Sequence, residues 1–148
     1  MGASTARSEA DARAALSDGT LIPRGNGRAY GDSAMNLDAT LDMRGMDRML
    51  SFDNGVLVAE AGALLGDIIH TFLPRGWFPA GTPGTKYVSL GGAIAADVHG
   101  KNHHLDGSFR SCVDWVDVMG PDGTVTRAEA GSALYDFTLG GMGLTGVI

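Results

Sequence analysis

Glycine restricts what this chain can fold into more than any other residue. It occupies 23 of 148 positions, roughly twice the usual share of about 7%. No G-X-Y period runs through them, so a collagen-like rod is excluded. The glycines alternate with apolar segments, and 44% of the residues are hydrophobic, which reads as a packed domain rather than a disordered tract. Glycine alone tolerates φ > 0 freely and lets other atoms come close to the backbone. A domain this rich in it is built to bring its main chain against something.

Charge narrows what that something is. Acidic residues outnumber basic ones 17 to 11, for a net charge of −6. A binder of nucleic acid draws its affinity from clustered Lys and Arg, so no nucleic-acid partner is expected. The length suits one domain or part of one. A single cysteine, Cys112, rules out an internal disulfide and a thiolate metal cluster, and a reducing, cytoplasmic setting is the default. No apolar run is long enough for a transmembrane segment, and residues 1–16 contain no apolar signal-peptide core.

The pattern of residues predicts an α+β domain. Ser8 followed by Asp11 resembles a capping box opening a short helix, with Gly19 at its C′ position. Residues 20–23, 39–43, 48–52 and 56–60 read as strands, the last pair joined by the hairpin signal Asp53-Asn54-Gly55. Leu64, Leu65, Ile68, Ile69 and Phe72 share one helical face, which Pro74 and Gly76 end. A small-residue helix is expected over 91–98, strands over 113–119 and 124–128, and a helix over 132–138. Hairpins among irregularly alternating helices and strands favour α+β over a doubly wound sheet. The last residues, Gly146-Val147-Ile148, read as a strand start, so a fragment of a longer protein is expected.

Three loops carry the chemistry. Residues 24–36 hold Gly25, Gly27 and Gly31 between Arg24 and Arg28. Successive N–H groups in such a loop can cradle an anion, and Arg adds a bidentate charge; the alternative is a solvated turn. Spacing and context exclude a Rossmann fingerprint here, and GMGLTG at 141–146 matches its string without the strand–turn–helix context. In the second loop, Pro83-Gly84-Thr85 precedes Gly91-Gly92-Ala93, where a helix N-terminus can receive an anion on free N–H groups. The third, residues 99–104, is HGKNHH. His99 and His103 are four apart, as in some zinc sites, but Gly100 and Asn102 disfavour a helix, so solvated or hydrogen-bonded histidines are the better reading and no metal is expected. Cys112, the cluster Met35, Met43, Met46 and Met49, and both Trp77 and Trp115 read as packing residues.

Three strings taken together, PRGNGRAYGDSA (23–34), PGTKYVSLGGAIAADVHGKNHHLDGSF (83–109) and GGMGLTGVI (140–148), closely resemble the FAD-binding domain of the vanillyl-alcohol oxidase / para-cresol methylhydroxylase family, and within it the sugar oxidases. The resemblance covers residues 8–148. It implies two small α/β subdomains with FAD between them, truncated at both ends, with the first strand and the substrate domain missing. It also implies which residues hold the cofactor. Arg24, Gly25, Asn26, Gly27, Arg28, Ala29, Tyr30, Gly31, Ser33 and Ala34 would wrap the pyrophosphate. Pro83, Gly84, Thr85, Ser89, Gly91, Gly92 and Ala93 would close on it from the other side. Ala96, Asp97, Val98, His99, Gly100 and Asn102 would line the flavin and its ribityl chain, and Val147 the adenine side. Tyr30, His99 and Lys101 would face the substrate pocket; the catalytic base is not identified. Many relatives bond the flavin covalently through a His in the first loop. Arg28 stands there instead, which implies non-covalent FAD. Ala96 replaces a Cys found in a sugar-oxidising relative.

The function so implied is the FAD-binding part of an oxidoreductase acting on a sugar or sugar-like alcohol, a small-molecule substrate, with this chain inactive by itself and prone to self-association. The alternatives are a cofactor-binding module without activity of its own and a metal-dependent hydrolase using the histidine loop.

Overall fold

The computed structural model describes residues 2–17 and 19–148. Its first unit is a three-stranded parallel sheet in the order β1-β3-β2, formed by β1 (Gly2–Thr5), β2 (Leu21–Arg24) and β3 (Ala39–Asp42). Both outer strands pair with β3 in parallel, Gly2 and Leu21 each opposite Ala39. Helix α1 (Glu9–Leu16) connects β1 to β2. Ser8 caps it, accepting from the Asp11 N–H at 3.2 Å, while the Asp11 carboxylate accepts from the Arg7 N–H at 2.9 Å. A cap of this kind stabilises a helix by about 1 kcal/mol. The helix ends at Leu16 with Ser17 as C-cap, so Gly19, expected at C′, stands one residue further on.

Strand β1 corrects the expectation that the first strand is missing. Gly-Ala-Ser-Thr is short, small and exposed along its length. It has a single β-branched residue, Thr5, and no alternation, and only its pairing with β3 makes it a strand.

Parallel neighbours need a long crossover, usually a helix. Between β2 and β3 the crossover is residues 25–38, and no helix fills it. The first glycine loop therefore starts at the carboxyl end of a parallel strand, where ligands of open parallel sheets gather.

The second unit is built on two antiparallel hairpins. One pairs β4 (Met49–Asp53) with β5 (Val56–Ala59); its turn places Asn54 and Gly55 at φ of +48° and +86°, as the Asp-Asn-Gly signal requires. The other pairs β6 (Trp115–Met119) with β7 (Val125–Glu129). Helix α2 (Leu65–Phe72) buries Leu65, Ile68 and Phe72, the face expected from the sequence. Each such side chain contributes about 1.5–3 kcal/mol on burial. The Phe52 ring lies 4.4 Å from that of Phe72. Short helices α3 (Leu90–Ala95), α4 (His103–Asp106) and α5 (Ala133–Thr138) complete the chain. Helix α4 lies in a segment expected to be all loop.

Most buried side chains belong to one core that joins α2, α3, β6 and α5; a smaller one holds Ala6, Ala12, Leu41, Met43, Met119 and Val147. Met119 and Val147 bond to each other through both N–H groups, at 2.7 and 2.9 Å. Met43 is buried as expected, whereas Met35 is half-exposed. Trp77 is also half-exposed, and Trp115 carries the Arg127 guanidinium on its face at 3.7 Å. Both tryptophans pack at the surface rather than inside a core.

Candidate functional site

A cavity of about 170 Å³ opens where the first glycine loop meets α3 and the final turn. Gly25 to Tyr30 line it without a gap, followed by Ser33 and Ala34. Among the described residues, no backbone N–H from Gly25 to Tyr30 has a hydrogen-bond partner. An unpaired amide normally finds water or a ligand, and a run of them is an anion-binding concavity. Arg28 is the exposed cation on that loop, its guanidinium 5.6 Å from the Tyr87 ring. Arg24 sits behind the loop, half-buried, with a guanidinium N–H donating to the Ala34 carbonyl at 3.4 Å.

The second loop closes on the first through specific contacts. The Asn26 amide donates to the Tyr87 carbonyl at 2.8 Å. Ser89 is buried and caps α3, its hydroxyl accepting from the Gly92 N–H at 3.2 Å. Gly25 packs so tightly on Ser89 that a Cβ built on it would stand 2.9 Å from the Ser89 Cβ.

The start of α3 differs from expectation. Its first N–H groups are not free: Leu90 donates to the Ala63 carbonyl and Gly91 to that of Ala61, each at 2.7 Å, and Gly92 donates to its cap. Gly91 is there for packing, since a Cβ on it would lie 2.8 Å from that of Ala61. Gly91 and Gly92 still line the cavity, as do Ser89, Ala96 and Val98. Pro83, Gly84 and Thr85 do not line it, and neither do Arg24, Gly31, Ala93 and Asp97. The Thr85 hydroxyl instead accepts from the Tyr87 N–H at 3.3 Å.

The histidine loop also lies outside the lining. The Asn102 amide donates to the Ala80 carbonyl at 3.0 Å and to the Asp106 carboxylate at 2.7 Å. The His99 and His103 rings are 4.9 Å apart, and His103 Nδ1 bonds to the Gly100 carbonyl at 2.9 Å. Among the described residues no three His, Cys, Asp or Glu side chains gather as a metal site. Lys101 is exposed, and Tyr30 is 97% exposed at the cavity rim. Cys112 bonds to the Phe109 carbonyl, and burial pushes its thiol up, away from the nucleophilic thiolate.

Several wall residues escaped the sequence reading. Gly143, Gly146 and Ile148 line the cavity, whereas Val147 is buried beside Met119. Successive residues of an extended segment face opposite ways, so Val147 turned into the core leaves its two neighbours toward the cavity. The signal was present in the third quoted string. Met43, Ala61, Val88, Ala95 and Met142 also contribute, brought there by tertiary packing alone.

The cavity is smaller than the usual 300–1,000 Å³ ligand pocket. It suits the narrow waist of an extended ligand whose remaining parts lie across the open side. A wider cleft of about 830 Å³ runs between the hairpins, with Phe52, Trp77, Phe78 and Trp115 among its walls. Neither the first loop nor its unpaired amides reach that cleft.

Comparison with known proteins supplies a family. A family described as "FAD binding domain" matches residues 4–129. Decaprenylphosphoryl-beta-D-ribose oxidase of Mycolicibacterium smegmatis is 42% identical over 135 residues, which is 86% of this chain and 29% of that protein. An uncharacterised protein from the mprA 5′ region of Streptomyces coelicolor is 47% identical over 76 residues, 51% of this chain and 21% of its own length. A D-lactate dehydrogenase of Anaerostipes hadrus is 28% identical over 112 residues, covering 70% and 24% respectively. The chain thus spans less than a third of each relative. No helix among the described residues is long and apolar enough to cross a membrane.

Proposed function

Because this chain belongs to the FAD-binding domain family, we propose that the first glycine loop holds the FAD pyrophosphate on the amides of Gly25 to Tyr30. The run of unpaired N–H groups along a cavity wall carries this reading. The residues fit the group: six glycines line the cavity, so main-chain dipoles rather than side chains meet the ligand, and Arg28 adds one positive charge. The side wall of Ala95, Ala96 and Val98 is apolar and would support the ribityl chain. Non-covalent attachment follows from Arg28, which has no nucleophile to bond to a flavin.

When bound, the flavin supplies the redox chemistry by accepting a hydride. The part left to this chain is binding, orientation and exclusion of water from one side. In a longer protein the reaction would be oxidation of a sugar or sugar-like alcohol, the substrate class named for the Mycolicibacterium relative. This chain would supply the FAD-binding part of such a protein, and turnover by this chain alone is not expected. The wide apolar cleft between the hairpins favours self-association in isolation. A reducing, cytoplasmic compartment suits the free Cys112 thiol.

Titration of the purified chain with FAD, followed by flavin fluorescence, tests the reading, with riboflavin as the arm lacking pyrophosphate. Saturable binding of FAD and none of riboflavin is expected. Equal binding of both would place the recognition elsewhere.

A further inference from the structure

We propose that Arg110, which lies outside the cavity, is a positioning residue that holds two of its walls in register; this rests on the reading of the cavity as the FAD site. Arg110 belongs to the 3-10 turn Phe109–Cys112. Its backbone N–H donates to Asp97 Oδ1 at 2.9 Å, and its Nε reaches Oδ2 at 3.4 Å. One terminal nitrogen donates to Asp136 Oδ1 and the other to the Leu139 carbonyl, both at 2.8 Å. The guanidinium also lies 5.8 Å from the Tyr135 ring centroid.

These contacts reach one strained residue and the segment that leads into another. Among the described residues only Asn54, Asp97 and Met142 have positive φ without being glycine. Asn54 belongs to a hairpin turn. Asp97, at +42°, and Met142, at +54°, sit beside and on facing walls of the cavity. Such conformations cost of order 1–3 kcal/mol and persist where surrounding contacts over-determine them. Asp97 follows the cavity residues Ala95 and Ala96 and precedes Val98; Met142 lines the other wall with Gly143 and Gly146. The walls also touch through the main chain, Gly140 N–H to the Ile94 carbonyl at 3.2 Å and Met142 N–H to that of Ala95 at 2.8 Å. Arg110 reaches both from behind: Asp97 on one side, Leu139 just ahead of the Gly140 turn on the other. A planar five-donor fork can serve two carboxylates and a carbonyl at once, and a lysine ammonium cannot reproduce that geometry.

The test compares Arg110→Gln and Arg110→Lys with Arg127→Gln, which removes an equivalent charge at β7, remote from the cavity. Amide hydrogen exchange of the unliganded chain is followed over 93–100 and 139–146, beside FAD titration. Both Arg110 variants should exchange about tenfold faster in both segments and bind FAD about tenfold more weakly, and Lys should not rescue. Arg127→Gln should match the parent. If Arg110→Gln does not fold, Asp97→Asn alone and combined with Arg110→Lys reads the same coupling: because the walls also touch directly, transmission through Arg110 is shown only if the double variant exchanges over 139–146 no faster than Asp97→Asn alone. Unchanged exchange in either segment of a folded Arg110 or Asp97 variant overturns the proposal, whether or not FAD binds. Faster exchange in the Arg110 variants, where the parent chain itself never binds FAD, would uphold the positioning role and remove the cofactor reading.

Discussion

Replacing Gly25 by alanine should cost far more than one methyl group, because of Ser89. A Cβ on Gly25 would lie 2.9 Å from the Ser89 Cβ and closer still to its hydroxyl, so one of the two must move. Ser89 is 3% exposed, and its hydroxyl can turn toward the cavity it borders only by giving up the Gly92 N–H. Its hydroxyl is also the cap of α3. Loss of the cap costs about 1 kcal/mol and overpacking about 1–3 kcal/mol, so Gly25→Ala should destabilise by about 2–4 kcal/mol. Ser89→Gly tests the cause. A glycine cap costs only a few tenths of a kcal/mol relative to serine, and it removes the atoms that clash. The double variant should then recover about 2 kcal/mol relative to the sum of the singles. Urea denaturation of the four proteins measures the cycle. Additivity within about 0.5 kcal/mol, the range for independent sites, would refute the packing argument.

Acid precipitation of the FAD-loaded chain should leave all flavin in the supernatant; colour in the pellet would contradict non-covalent binding. The Glu60 carboxyl is held below its usual range by hydrogen bonds from Arg48. Its contribution to stability is therefore complete above the ordinary carboxylate pKa and is lost as pH falls through the lower folded value. Urea midpoints from pH 6 to 3 should fall more steeply for the parent than for Glu60→Gln, and parallel slopes would remove the role of the pair. Cys112, with its thiol pushed up by burial, should alkylate with iodoacetamide more slowly at pH 7.5 than glutathione; a faster rate would show an activated thiolate.

Periodicity made α2 legible because its stripe of Leu65, Ile68 and Phe72 depends on local spacing alone. The Asn54-Gly55 turn was legible for the same reason, each residue taking the conformation its own chemistry favours. Strand β1 was not, because Gly-Ala-Ser-Thr becomes a strand only through pairing with β3, more than thirty residues away in sequence. The α3 N-terminus misled in the opposite direction. Two glycines at a helix start do expose amides in isolation, but the carbonyls of Ala61 and Ala63 take them. Gly100 and Asn102 spoke against a helix through His99, and α4 does begin only at His103; the short helix after them was missed because the whole stretch read as polar loop.

The first loop stood out as a candidate site for a deeper reason. A side-chain site depends on which residues tertiary structure brings together, and a single sequence conceals that. A main-chain site depends on a local run that cannot form a ladder. Residues 25–38 must cross from the end of β2 to the start of β3, and glycine at 25, 27 and 31 keeps helix from forming on the way. The amides of Gly25 to Tyr30 are left unpaired by the topology itself. In a chain of charge −6, uncharged dipoles also attract an anion without adding cations that the surrounding carboxylates would neutralise. What the loop cannot encode is its own closure: Asn26 needs the Tyr87 carbonyl, and Gly25 needs Ser89, both over sixty residues away in sequence. The run of unpaired amides was therefore written locally, while the shape of the cavity was written in contacts between distant segments.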